Sequence, residues 1–478
     1  MDAKAAATFC TAAAITAAAC AINPATGERQ LSLISEQQEI QMGREAAAGV
    51  RQTLGFVDDA QLQNYVGRVG SRLARASERP ELPWEFHVVD DPVPNAFALP
   101  GGFIYVTRGM LNLMTSEAQL ASVLGHEIGH VTGRHSVNQI SKQQLAQIGL
   151  GLGSVLVPEV RPFESLLGGG LGLLFLKYSR DHEREADTLG FEYIQEQNYD
   201  VTEFADVFRA LEQSTPEGEG ALPGWLTTHP APGERVKTAE ARAGEVGRVA
   251  AARVGREDYL RQIDDLVYGK DPRDGFFRDG TFYHPRLRFQ VQFPSGWQTE
   301  NLAQAVIAAA PQNRAMIQLT LAGRRSPQDA LAQFYQNTGA QPGSTGRATV
   351  NGQPAALGQF QAQTDQGVIG GLVGFVTYRN QTYQMIGYTS AQQYGEYATA
   401  FERAIRSFAP ATTTSVLRVE PQRIDIVQLS DPTTVREFVR QRGSPVSADE
   451  VALINQVADA NALLPAGLVK RVVGPSLD

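Results

Sequence analysis

His126-Glu127-Ile128-Gly129-His130 is the feature that most restricts what this chain can fold into. Residues four apart on a helix stand one above the other, so this spacing aims both imidazoles at one point and commits the segment to a helix. Counting about 100° per residue, the apolar stripe of that helix centres near Val131, and Glu127 lies between the two histidines. A carboxylate buried there without a partner would cost several kcal/mol or take up a proton. Water bound to a metal would give it a hydrogen-bond donor, so metal chemistry explains its position better than packing does. The helix is expected to open at Ser116, with Gln119 completing a capping box, and to run through Leu120, Val123, Leu124, Ile128 and Val131.

A zinc hydrolase needs a third protein ligand and one open position for water. In Tyr178-Ser179-Arg180-Asp181-His182-Glu183-Arg184-Glu185-Ala186-Asp187, Glu183 and Asp187 are four apart, and Gly190 and Ile194 continue their face. A second helix is therefore expected from about Lys177 to Gln197, with Gly190 permitting close approach to the first. Glu183 is the expected third ligand, and Asp187 the acceptor for the spare ring N–H of His126 or His130. Glu185 is the rival ligand, but it lies about 160° around the helix from Asp187. His135 and His182 are expected to be structural, as are His87 in a strand and His284 in the next domain.

Three stretches together resemble the HtpX, BepA and CAAX-prenyl-protease family of gluzincin metallopeptidases, over roughly residues 30 to 270. They are the HExxH and ExxxD pair, the segment Asn95-Ala96-Phe97-Ala98-Leu99-Pro100-Gly101-Gly102-Phe103-Ile104-Tyr105-Val106-Thr107-Arg108-Gly109, and Thr228-His229-Pro230. The resemblance implies one zinc ion per chain held by His126, His130 and Glu183, with Glu127 as catalytic base. It also implies that Phe103, Ile104, Tyr105, Val106 and Thr107 form the edge strand that receives an extended polypeptide substrate. A developing oxyanion needs a second donor besides the metal, and His229 is the candidate. The resemblance equally allows His229 to occupy the open zinc position in a resting enzyme. The implied substrates are misfolded or unassembled cell-envelope proteins. Two other readings stay open: a chaperone or assembly factor with latent proteolysis, and a peptidoglycan-tethered scaffold.

A length of 478 residues suggests roughly three modules. The net charge of −9 argues against a nucleic-acid partner, because no basic excess exists to neutralise phosphates. Residues 1–20 resemble a bacterial lipoprotein signal: Ala5 to Thr26 carry no charge, and Ala17-Ala18-Ala19 precede Cys20. Lipidation of Cys20, a membrane attached through it, and a periplasmic, outer-membrane location are the expectations. No later segment reaches the roughly 18 to 20 apolar residues that span a bilayer. The Gly- and Leu-rich stretch 148–176, interrupted by Pro158 and Pro162, reads as a mobile flap or buried loop.

The expected fold class is multidomain α+β. A mainly helical gluzincin-type protease domain with a small edge-strand sheet occupies 21–270. Beyond a polar boundary near Lys270 to Gly280 the apolar period changes to 2, as in Phe289-Gln290-Val291-Gln292-Phe293. An antiparallel α+β domain is expected over 283–410, with strand-like runs at 304–310, 315–322, 348–363, 368–377 and 381–389. Through that run and Pro294-Ser295-Gly296-Trp297 it resembles the PsbP-like fold. The tail, 420–474, reads strand, helix, helix, strand, short as a separate module would be. Through Leu453-Ile454-Asn455 it resembles a degenerate LysM domain, which implies peptidoglycan binding.

Overall fold

The helix Glu117–Thr132 is the axis of the first part of the molecule, and every one of its residues is buried. Ser116 caps it by accepting the Gln119 backbone N–H. Gln119 Oε1 accepts in turn from the Thr115 backbone N–H at 2.7 Å, so the reciprocal contact falls one residue before the expected one. The helix Arg180–Glu196 packs across it at a glycine-lined crossing. A Cβ on Gly190 would stand 2.8 Å from the His126 backbone nitrogen, and one on Gly129 2.9 Å from the Ala186 carbonyl oxygen. Only backbones stripped of these side chains come close enough to bring Glu183 to the two histidines.

The computed structural model describes residues 20–149, 177–214, 225, 228, 229, 232–246, 251–364 and 367–476. The expected leader up to Ala19 and most of the expected flap, 150–176, lie outside the described residues. The chain divides into two compact units, residues 1–270 with 422–478, and residues 271–421.

In the first unit an N-terminal hairpin pairs β1 (Cys20–Ile22) with β2 (Arg29–Leu31). Helices Glu36–Thr53 and Ala60–Ala76 follow, separated near Gly55, whose φ of 67° ends the first. The small sheet has the order β3, β5, β4, where β3 is Glu85–Val89, β4 is Ala96–Leu99 and β5 is Phe103–Thr107. Gly101 and Gly102, at φ of 80° and 105°, make the turn that folds β5 antiparallel onto β4. On its other side β5 runs parallel to β3. Both backbone edges of Phe103–Thr107 are therefore used, and β5 is the central strand rather than the expected edge. The edge beside the helix Glu117–Thr132 is β4. Its four residues are all apolar and buried, with no alternation to announce a strand.

The tail belongs to this same unit. Its strand Gln422–Leu429 pairs with Gly467–Val473 on one side and with β6 (Val267–Tyr268) on the other. Between the tail strands lie helices Val435–Arg442 and Ala448–Ile454. Ile424, Ile454 and Val472 join the apolar core that holds Leu124 and Ile128 of the helix Glu117–Thr132. Asn455, which carries the LysM likeness, is buried and bonds within the tail, exchanging 2.8 Å hydrogen bonds with the backbone of Lys470.

Lys470 itself is 0% exposed and donates Nζ to the carbonyls of Asn112 at 2.7 Å, Met114 at 2.8 Å and Leu113 at 3.4 Å. Those carbonyls end the short helix Arg108–Leu113, which links β5 to the helix Glu117–Thr132. Burial lowers the Lys470 pKa well below the ordinary lysine value. Lys470→Met leaves the carbonyls without this donor and is expected to cost about 2–4 kcal/mol. A shifted urea midpoint at unchanged slope is the readout, and an unmoved midpoint would show that the carbonyls do not need it.

The second unit is antiparallel throughout its main sheet of seven strands. Helices Pro327–Thr338 and Tyr394–Arg406 pack on it, and Phe282, Phe289, Phe401 and Phe408 centre one core. The run 348–363, which reads as one strand, is split at Asn351-Gly352, where φ values of 46° and 81° make a tight hairpin turn between Gln341–Val350 and Gln353–Thr364.

Candidate metal centre and catalytic site

His126, His130, Glu183 and His229 converge, each offering one ligand atom within 4.8 Å of the others, and all four are buried. His126 Nε2 and His130 Nε2 are 3.0 Å apart. Glu183 lies 3.6 Å from the first and 3.5 Å from the second. Ligands at zinc's usual bond lengths on a tetrahedron are about 3.3 Å apart, so these edges suit one zinc ion. Burial and Arg235 lower the His126 pKa to about 4, and burial lowers that of His130 well below the usual imidazole value. Neutral imidazoles are the form that binds metal. Burial acts to raise the Glu183 pKa, but His229 and Arg235 hold its carboxylate well below the usual range.

Glu127 supplies the sharper test of fit. It is 0% exposed, and neither carboxylate oxygen has a protein hydrogen bond of normal geometry among the described residues. Burial pushes its pKa up to about 7, offset in part by His229, whose Nε2 is 3.6 Å away. A buried carboxylate beside a converging ligand set is what a metal-activated water requires of its base.

Asp187 stands where the helical spacing places it, with Oδ1 at 2.9 Å from His126 Nδ1. Its other partner escapes sequence reading. Arg235 is buried under Phe208, donates to both Asp187 oxygens at 2.6 and 2.9 Å, and reaches Glu183 Oε2 at 3.1 Å. The only local signal is an arginine six residues after His229 on a separate helix, Pro232–Val246. Tyr178 is a second omission: its ring stacks on His130 at 3.9 Å, and its hydroxyl bonds Ser136 at 2.8 Å. His229 stacks on Trp225 at 4.1 Å.

Glu185, the rival ligand, points away to His135 and Asn23 and is not in the cluster. His182 stacks on His135 at 4.4 Å. His87 pairs with Glu85, and His284 lies in the second unit. Phe103–Thr107 has no free edge toward the cluster, because β3 and β4 pair with it on either side.

The Peptidase family M48 profile matches residues 60–243. The chain is 29% identical over 246 residues to the beta-barrel assembly-enhancing protease of Yersinia pestis, covering 50% of each protein. It is 31% identical over 227 residues to the mitochondrial metalloendopeptidase OMA1 of Schizosaccharomyces pombe, covering 45% of this chain and 64% of that one. The chain thus spans about half the length of the first of these relatives. Among solved structures, cyanobacterial PsbP from Synechocystis sp. PCC 6803 matches 27% of this chain and 91% of its own at TM-score 0.24 and 12% identity, which assigns nothing to the second unit. His126, Glu127, His130, Glu183 and His229 all lie inside residues 60–243, so the metal-ligand cluster falls within the segment that is similar to Peptidase family M48.

Proposed function

We propose that this chain is an endopeptidase acting on misfolded or unassembled cell-envelope proteins. The observation that carries the hydrolytic part is Glu127, a buried carboxylate with no side-chain hydrogen-bond partner among the described residues, beside the convergence point of His126, His130 and Glu183. Zinc held by those three would supply Lewis acidity, acidifying a water and polarising the scissile carbonyl. Glu127 takes the proton of the attacking water and returns it to the leaving amine. Asp187, fixed by Arg235, holds the His126 ring in one tautomer. The edge strand β4, rather than β5, receives the substrate backbone as an added strand. The substrate class is what the family resemblance implies, and the Yersinia relative is named a beta-barrel assembly-enhancing protease. Cleavage of an unfolded polypeptide, compared with Glu127→Gln, tests the reading.

The export part of the proposal is that Cys20 is lipidated and holds the protein at the periplasmic side of the outer membrane. No helix among the described residues is long and apolar enough to cross a membrane. Cys20→Ser should then release the protein from membranes; wild-type protein fractionating as soluble with residues 1–19 intact would end that idea.

A latent form of the same enzyme is favoured by the place of His229. Its Nδ1 is 3.0 Å from Glu183 Oε1 and 3.3 Å from His126 Nε2, so it stands among the ligands rather than beside them. An imidazole there excludes the catalytic water. His229→Ala is expected to raise cleavage of an unfolded substrate several-fold, because the water position is freed. As an oxyanion donor it would instead cost about 10²- to 10³-fold in turnover on removal. Lower turnover with unchanged zinc would refute the latch.

A further inference from the structure

On the His130 side a chain of polar groups leads outward from the metal centre. His130 turns Nε2 toward His126 and Glu183, which leaves its Nδ1 facing Nδ1 of His135 at 2.9 Å. The far nitrogen of His135, Nε2, lies 3.4 Å from Glu185 Oε1, an ion-pair distance without the angle of a hydrogen bond. That same oxygen accepts from Asn23 Nδ2 at 2.6 Å. His135 and Asn23 are 1% and 4% exposed. Gly133 leaves room for the contact, since a Cβ there would stand 2.5 Å from His135 Nε2 and 2.9 Å from Glu185 Oε1. His182, stacked on His135 with 9° between the rings, holds the plane of that imidazole.

We propose that His135, Glu185 and Asn23 are positioning residues that fix the tautomer and orientation of His130 and thereby set zinc affinity; this rests on the zinc reading of the site. A ligating imidazole binds through one nitrogen and carries its proton on the other. His130 Nδ1–H therefore donates to His135 Nδ1, which is the bare nitrogen. His135 then carries its proton on Nε2, the nitrogen on the side of the Glu185 carboxylate. Asn23 holds that carboxylate from the other side, its own Oδ1 anchored by the N–H groups of Ala25 at 2.9 Å and Thr26 at 3.3 Å. His126 is served by Asp187 directly, whereas His130 is served at two removes. The second arm ends in the turn between β1 and β2, before the first residue of the family match. The N-terminal hairpin is on this account part of the metal site.

Zinc affinity of the full chain, measured by competition with a chromogenic chelator, tests this in Asn23→Asp, Glu185→Gln and the double variant. Asn23→Asp keeps its shape and the turn-holding oxygen but sets a carboxylate against Glu185. Glu185→Gln keeps its shape and removes the anion. Each is expected to weaken zinc about tenfold. The double variant should bind about as Glu185→Gln alone does, because the carboxylate introduced at position 23 then has no anion to repel. Wild-type affinity in both single variants, or a lower melting temperature of the metal-free protein with zinc affinity unchanged, would overturn the proposal. Nitrogen-15 NMR of histidine-labelled, zinc-loaded wild type is a test independent of variant folding: the proton of His135 belongs on Nε2, and finding it on Nδ1 rejects the chain. Failure of wild type to bind zinc at all would sink the metalloenzyme reading itself.

Discussion

Glu127→Gln is expected to retain zinc while losing about 10²- to 10⁴-fold in turnover on an unfolded polypeptide. The two side chains have the same shape, and Glu127 is not one of the converging ligand groups, so the metal site stays whole. What disappears is the acceptor for the water proton. Burial also makes the substitution cheap for the fold, because a bare buried carboxylate gives way to a neutral amide. Parallel metal analysis and a proteolysis assay check both halves. Turnover near wild type would exclude Glu127 as the base, and loss of zinc would place it among the ligands instead.

Removing a ligand should have the opposite signature, with metal and activity lost together. His126→Ala, His130→Ala and Glu183→Ala are each expected to weaken zinc by more than the roughly 100-fold at which outer-shell losses end. Each single variant leaves His229 available as a third ligand, and Glu183→Ala leaves three imidazoles. Three imidazoles are by themselves an established zinc set, and His229 stands within ligand distance of His126 and His130. Glu183→Ala with His229→Ala leaves only the histidine pair on the Glu117–Thr132 helix and should be metal-free after dialysis. Full zinc in that double variant would mean that the third ligand comes from elsewhere. Zinc retained by Glu183→Ala alone and lost in the double would show His229 serving as a ligand, consistent with its proposed latch position.

The parts of the site that were legible share one property: their geometry is local. His126 and His130, or Glu183 and Asp187, are brought to one face by 3.6 residues per turn, and no distant contact is needed to say so. Gly190 was legible for a related reason, since a residue without a side chain on that face permits a close crossing. Period-2 runs and the Asn351-Gly352 turn belong to the same local kind, although the turn lay inside a run that reads as one strand.

Arg235, Tyr178 and Asn23 carry no such signal. Each reaches the site from another segment, and an arginine, a tyrosine or an asparagine alone on its segment has no pattern to betray a buried partner. Strand order is of the same nature. β5 has the stronger strand sequence, but edge or centre depends on where β3 and β4 dock, which hydrogen bonds between distant residues decide. The tail shows the limit most plainly. Its strand, helix, helix, strand order follows from local period, whereas its place in the core of the first unit follows from Ile424, Ile454 and Val472 finding apolar partners hundreds of residues away and from Lys470 meeting three carbonyls. By itself, then, the sequence placed His126, Glu127 and His130 on one helix and Glu183 and Asp187 on one face of a second, because backbone periodicity writes these into neighbouring residues. Tertiary structure alone decided the edge strand, the arginine behind Asp187, the hairpin behind His130 and the docking of the tail, because burial and hydrogen bonding pair groups without regard to their distance along the chain.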